Sequence, residues 1–216
     1  MKFTNETLLQ YFLRDLKNPD VTHGFRPKAK TPNHWKFAPI IKNIPIDIDV
    51  LGDGDIWLWS DIHFNHKNII RYAHRPYPDV ETMNNQLILN YLRVVKPKDI
   101  VIWGGDITFG HVNEINNIIK SLPGYHIHIT GNHDMDRRGK LIQFAFDEQY
   151  PCMVVDVQDK QLLFTHHPLT IVPKNCINIH GHIHQHKAPS DNHINICVEH
   201  TNYTPINMKQ LLTHWM

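Results

Sequence analysis

A chain of 216 residues that is 41% apolar can fill one hydrophobic core and is short for two, so one domain with extensions is expected. Its 22 Lys and Arg stand against 21 Asp and Glu, which excludes a strong long-range field as the means of meeting nucleic acid or a membrane. The cysteines Cys152, Cys176 and Cys197 lack the close pairs of a zinc knuckle or redox motif and read as reduced structural thiols. The opening MKFTNETLLQYFLRDL breaks its apolar residues with polar ones, unlike a signal peptide, and no apolar run reaches spanning length. A cytoplasmic setting without a membrane partner is the expectation. Eighteen histidines direct attention to metal or acid–base chemistry.

In chain order, Thr7 to Leu16 carries apolar residues at helical spacing. From Val21 to Pro45 four prolines alternate with basic residues, as in an extended arm that is either a solvated connector or a contact to a polyanion. Residues 1–54 are therefore set apart as a helix and basic arm, with the main domain over 55–216. Ile56 to Ser60 predicts a strand ending at Asp61, Val80 to Val95 a helix, and Asp99 to Trp103 a buried strand stopping at Gly104-Gly105-Asp106. A helix over His111 to Ser121 precedes a strand over Tyr125 to Thr130, which stops at Gly131-Asn132-His133-Asp134. A further helix is expected near Lys140 to Phe146. Strands over Leu162 to Thr165 and Cys176 to Ile179 then lead to His166-His167 and to His180-Gly181-His182-Ile183-His184. Five strands thus end in Asp, Asn or His, and in an α/β sheet such ends share one crevice.

Asp61, His63, Asp106, Asn132, His166, His182 and His184 offer oxygen and nitrogen donors without a thiolate, a mixture that suits Mn, Fe, Zn, Co or Ni better than a Ca or Mg cage. Seven donors exceed one tetrahedral ion, whereas two divalent ions sharing a carboxylate, about 3.5–4 Å apart, use them naturally and serve in-line phosphoryl transfer. Extended alternation in Asp61-Ile62-His63 and in His182-Ile183-His184 would put each ligand pair on one side and the isoleucine in the core. Glycines before Asp106 and Asn132 allow sharp turns and close approach. His66, Arg71 and Arg75, on a short segment after the first block, are candidate substrate-binding residues for phosphate. His126 and His128 are read as strand-face residues.

In order, DIH (61–63), GGD (104–106), GNHD (131–134), THH (165–167) and GHIH (181–184) resemble the five signature blocks of the calcineurin-like metallophosphoesterase superfamily, over roughly residues 55–212. The run DIHFNHKNIIRYAHRPY (61–77) also resembles its small stand-alone phosphoesterases of bacteria and phages. The resemblance implies a four-layer α/β sandwich of two mixed β-sheets flanked by helices. It implies that Asp61, His63 and His184 hold one metal, that Asn132, His166 and His182 hold the other, and that Asp106 bridges them. Manganese is the first expectation, with Fe, Zn, Ni or Co as alternatives. A bridging hydroxide would attack phosphorus directly, and His133 would be the general acid. Two departures stand out. Asp106 is followed by Ile107-Thr108-Phe109-Gly110, where the protein phosphatases of the superfamily place a further Asp and Arg, and the fourth block leaves His166 and His167 as alternatives. The expected activity is hydrolysis of a phosphate mono- or diester of small or nucleotide type. The alternatives are a nuclease or RNA-end processing enzyme that grips nucleic acid through the arm, and a non-catalytic metal-binding scaffold.

Overall fold

Alternate side chains of a strand face opposite ways, so short runs that are apolar at every position can line two cores at once. The computed structural model, which describes residues 54–213 apart from residue 158, is built on this device. The expected helix at 7–16 and the basic arm lie outside the described residues. Strands β1 (Ile56–Trp59), β2 (Ile100–Trp103), β3 (Tyr125–Ile129) and β4 (Glu148–Tyr150) run parallel, and β9 (Ile206–Asn207) pairs antiparallel with β1, giving the order β4-β3-β2-β1-β9. In the second sheet β5 (Cys152–Val157) is antiparallel to β6 (Lys160–Thr165), which runs parallel to β7 (Cys176–His180) and through it to β8 (His193–Asn195). The two mixed sheets form the expected α/β sandwich.

Between the sheets, Ile56, Leu58, Ile102, Ile127 and Ile129 meet Met153, Leu162, Phe164, Ile177 and Ile179. The alternate residues Trp59, Val101 and Trp103 turn outward beneath helices α2 (Val80–Val94) and α3 (Val112–Ser121), against Met83, Leu87, Tyr91, Ile115 and Ile119. Residues 83, 87 and 91 repeat at four-residue intervals along one face of α2, whose start is capped by the Asp79 carboxylate accepting from Thr82 N at 2.7 Å. The outer face of the second sheet carries Cys152, Val154, Leu163 and Cys176, covered by Leu169 and Val172 of the segment after β6. That layer is a loop rather than a helix among the described residues. Two short helices, α1 (Lys67–Tyr72) and α4 (Met208–Leu212), complete the described elements. None of the described helices is long and apolar enough to cross a membrane.

The helix expected near Lys140 to Phe146 is absent. Asp136 accepts from Arg138 N at 2.8 Å and Lys140 N at 2.9 Å, Gly139 takes φ +72°, and Met135 bridges Leu141 antiparallel. These side-chain bonds give the backbone a turn instead of a helix start. Phe144 and Phe146 then alternate in an extended segment and both pack on the His128 ring, at 5.7 and 4.7 Å between ring centres.

Candidate metal centre

Because β1, β2 and β3 are parallel, as are β6 and β7, the five polar blocks leave the same edges of their sheets. The sheets are joined there by Ser60, which bridges Cys197 and whose carbonyl accepts from Val198 N at 3.1 Å. Asp61 and His63 sit at φ 56° and 54°, and His182 and His184 at 70° and 47°. The ligand pairs are thus not extended, as alternation had suggested. Left-handed turns bring Asp61 and His63 to one donor set and split His182 and His184 between two neighbouring sets, while Ile62 and Ile183 stay buried. Such backbone costs about 1–3 kcal/mol per residue and persists only where the surroundings hold it. Asp, Asn and His tolerate it best among residues with a side chain.

Each carboxylate is pinned through one oxygen. Asp61 Oδ2 accepts from Ser60 Oγ at 2.6 Å, His182 N at 2.9 Å and Cys197 Sγ at 3.2 Å. Its Oδ1 is buried without a hydrogen-bond partner, 4.0 Å from His63 Nε2 and 3.9 Å from His184 Nε2. Asp106 Oδ1 accepts from His133 N at 2.8 Å, leaving Oδ2 at 3.7 Å from His63 Nε2 and 3.4 Å from His166 Nε2. Asn132 Oδ1 lies 3.0 Å from both His166 Nε2 and His182 Nδ1. Ligand atoms fall within 4.8 Å of one another in three overlapping sets: Asp61, His63 and His184; Asp61, Asp106 and His166; His166, His167 and His182. Buried oxygens and imidazole nitrogens without hydrogen bonds, such as Asp61 Oδ1 and His63 Nε2, fit cations and would otherwise each be a desolvation cost. Gly105 shows how tight the centre is: its φ is +103°, and a Cβ there would lie 2.6 Å from His166 Nδ1.

Burial pushes the imidazoles of His63 and His167 well below their usual range and that of His182 down to about 3, so each ring is neutral and keeps one nitrogen lone pair for a cation. His166 goes the other way. Burial opposes its charge, but the Asp106 and Asp61 carboxylates and the Gly104 carbonyl, 2.8 Å from Nδ1, raise it to about 10. The same ring, with His63 and His133, holds Asp106 well below the usual carboxylate range against burial. These carboxylates favour a protonated His166 at neutral pH, and a metal bound at this ring would displace that proton. Loading of the metal-free protein at pH 7.5 is expected to release about one proton from this ring, with affinity rising as pH rises. Calorimetric titration with Mn in buffers of different ionisation enthalpy measures the release; a value of zero would refute the assignment.

Two expected substrate residues are placed differently from the third. His66 precedes α1 and lines a cleft of about 1000 Å³ together with His63, Asp106, His133 and His184. Arg71 is exposed outside that lining, 5.4 Å from the Tyr72 ring. Arg75 is 4% exposed and points inward. It donates to Asp61 O at 2.6 Å and Ile62 O at 2.8 Å, and pairs with Glu199 at 2.8 Å. Glu199 in turn meets His184 Nδ1 at 3.2 Å. The arginine thus braces the first block and, through Glu199, the last. A second bracing group is the buried Asp134 carboxylate, which accepts from Asp106 N, Ile107 N and Gly131 N at 2.9, 2.9 and 2.7 Å and lies 2.8 Å from His128 Nε2. Asp134 was visible as the last letter of GNHD; Glu199 had no motif to mark it.

No protein-family model matches the chain. It is 34% identical over 164 residues to the uncharacterized protein MJ1445 of Methanocaldococcus jannaschii, an alignment covering 71% of this chain and 86% of that protein. The crystal structure of the protein of unknown function AQ665 from Aquifex aeolicus superimposes with a TM-score of 0.60 and 29% identity, over 75% of this chain and 100% of that one. The E. coli phosphoesterase YfcE aligns over 66% of this chain and 78% of its own, with a TM-score of 0.34 and 17% identity.

Proposed function

We propose that this chain, which belongs to the family of the uncharacterized Methanocaldococcus jannaschii protein MJ1445, is a metal-dependent phosphoesterase cleaving phosphate mono- or diesters of small or nucleotide type. The observation that carries the reading is Asp106 Oδ2, held between His63 and His166, with one histidine set on each side. Asp61, His63 and His184 would hold one divalent ion and Asn132, His166 and His182 the other, with Asp106 shared and Mn the first candidate. Two such ions supply Lewis acidity and an activated water to an in-line displacement. The chain supplies the rest. His133 is exposed in the cleft, with its ring 5.7 Å from that of His63 and its backbone tied to Asp106. It is the group we assign to donate a proton to the leaving oxygen. The pinned carboxylates and turned histidines keep the ligands in place before substrate arrives.

The test is hydrolysis of p-nitrophenyl phosphate and bis-p-nitrophenyl phosphate by metal-stripped protein with Mn, Ni, Zn, Mg or nothing added back. Turnover that requires a metal is expected, and the ratio of the two rates separates monoesterase from diesterase. Absence of turnover with every metal would refute the reading in favour of a metal-binding scaffold.

A further inference from the structure

Four rings follow one another out of the centre. His133 lies 4.7 Å from Phe109 between ring centres, Phe109 stacks on His66 at 3.8 Å and 21°, and His66 meets Tyr72 edge-on at 6.3 Å. All four line the cleft, where Ile69 adds an apolar contact. Phe109 and Tyr72 are 47% and 56% exposed, two of the six large apolar side chains left open among the described residues. The backbone fixes the exposure of Phe109. Phe109 N donates to Phe64 O at 2.9 Å, and Thr108 Oγ1 donates to the same carbonyl at 2.9 Å, so the strap after Asp106 cannot swing its phenyl inward. This is the stretch where the sequence departs from the Asp-Arg of the protein phosphatases. An exposed aromatic beside a charged reaction centre gains most when a flat ring covers its face and excludes water from it.

Resting on the phosphoesterase reading, we infer that Phe109, with His66 and Tyr72, is the specificity surface for the leaving group, and that this group carries a nucleobase. The ring nearest the proton donor is the one that would bear the base, so the row places the nucleoside on the side of the phosphorus where His133 acts. Lys187, exposed on the same cleft, is available to a further phosphate of such a substrate. Base–aromatic stacking is tolerant of base identity, so preference for a base over none is expected, with little preference among bases.

The experiment uses matched esters: adenosine 5′-phosphate against ribose 5-phosphate, and the methyl diester of each. In the Mn-loaded wild type the base is expected to raise kcat/KM by about tenfold or more. Phe109→Ala should bring that ratio close to one and Phe109→Trp should keep it. The ratio is insulated from any general slowing caused by the packing of Phe109 on His133. Binding of adenosine to the metal-free protein, followed by NMR shift perturbation, gives a readout without turnover. Saturable binding that Phe109→Ala weakens about tenfold supports the surface even if no ester is cleaved, in which case the phosphoesterase reading alone falls. Equal kcat/KM with and without the base, or no adenosine binding to the wild type, overturns the inference while ester hydrolysis leaves the activity standing.

Discussion

Asp106→Asn is expected to abolish metal-dependent hydrolysis and to leave the protein with less than one equivalent of tightly held metal. The amide keeps the shape of the carboxylate, and its oxygen can still accept from His133 N at the Oδ1 position. It forfeits the charge that faces both His63 and His166. Without that charge His166 loses the largest influence raising its proton affinity, and the two cation positions proposed above would lose the one anion they share. Metal analysis after gel filtration, with rates on p-nitrophenyl esters, measures both losses. Full activity, or two retained equivalents, would refute the bridging role. His133→Ala is the contrasting variant: only its backbone N–H touches Asp106, so metal is kept while turnover falls roughly 10²- to 10⁴-fold, the usual worth of a positioned acid.

What the sequence conveyed and what it hid divide along physical lines. Strand ends were legible because an apolar run followed by Gly and a polar residue records two environments a few residues apart, as at Trp103-Gly104-Gly105-Asp106. The ligand turns were not legible as turns. The sign of φ leaves no trace in an alternating pattern, and Asp61-Ile62-His63 satisfies extended alternation as well as it satisfies a left-handed pair. In retrospect the residue types carried the hint, since Asp61, His63, Asn65, Asp106, His182 and His184 all have positive φ and are of the three types that tolerate it best. The misplaced helix at 140–146 has a different cause. Leu141, Ile142, Phe144, Ala145 and Phe146 are dense in apolar residues, and density alone does not separate a helix from an extended segment. The turn residues Asp136 and Gly139 decided the matter.

Arg75 was hidden for a third reason: its partner Glu199 lies 124 residues away, so nothing local distinguishes a brace from a phosphate contact. The two roles predict different outcomes for Arg75→Met. A substrate contact would raise KM and leave stability alone. A brace would leave the Glu199 side chain, 4% exposed, without its cation and would strip donors from the Asp61 and Ile62 carbonyls. Breaking a buried pair from one side costs about 3–5 kcal/mol. For a chain of this size each kcal/mol lowers the melting midpoint by about 2–4 °C, so a fall of roughly 10 °C is expected. Adding Glu199→Gln to Arg75→Met should recover part of the loss, because the amide removes the orphaned charge and can still meet His184 Nδ1. Thermal melts of the three metal-free proteins decide between the roles. A midpoint within 2 °C of wild type in Arg75→Met, with raised KM, would return the arginine to the substrate.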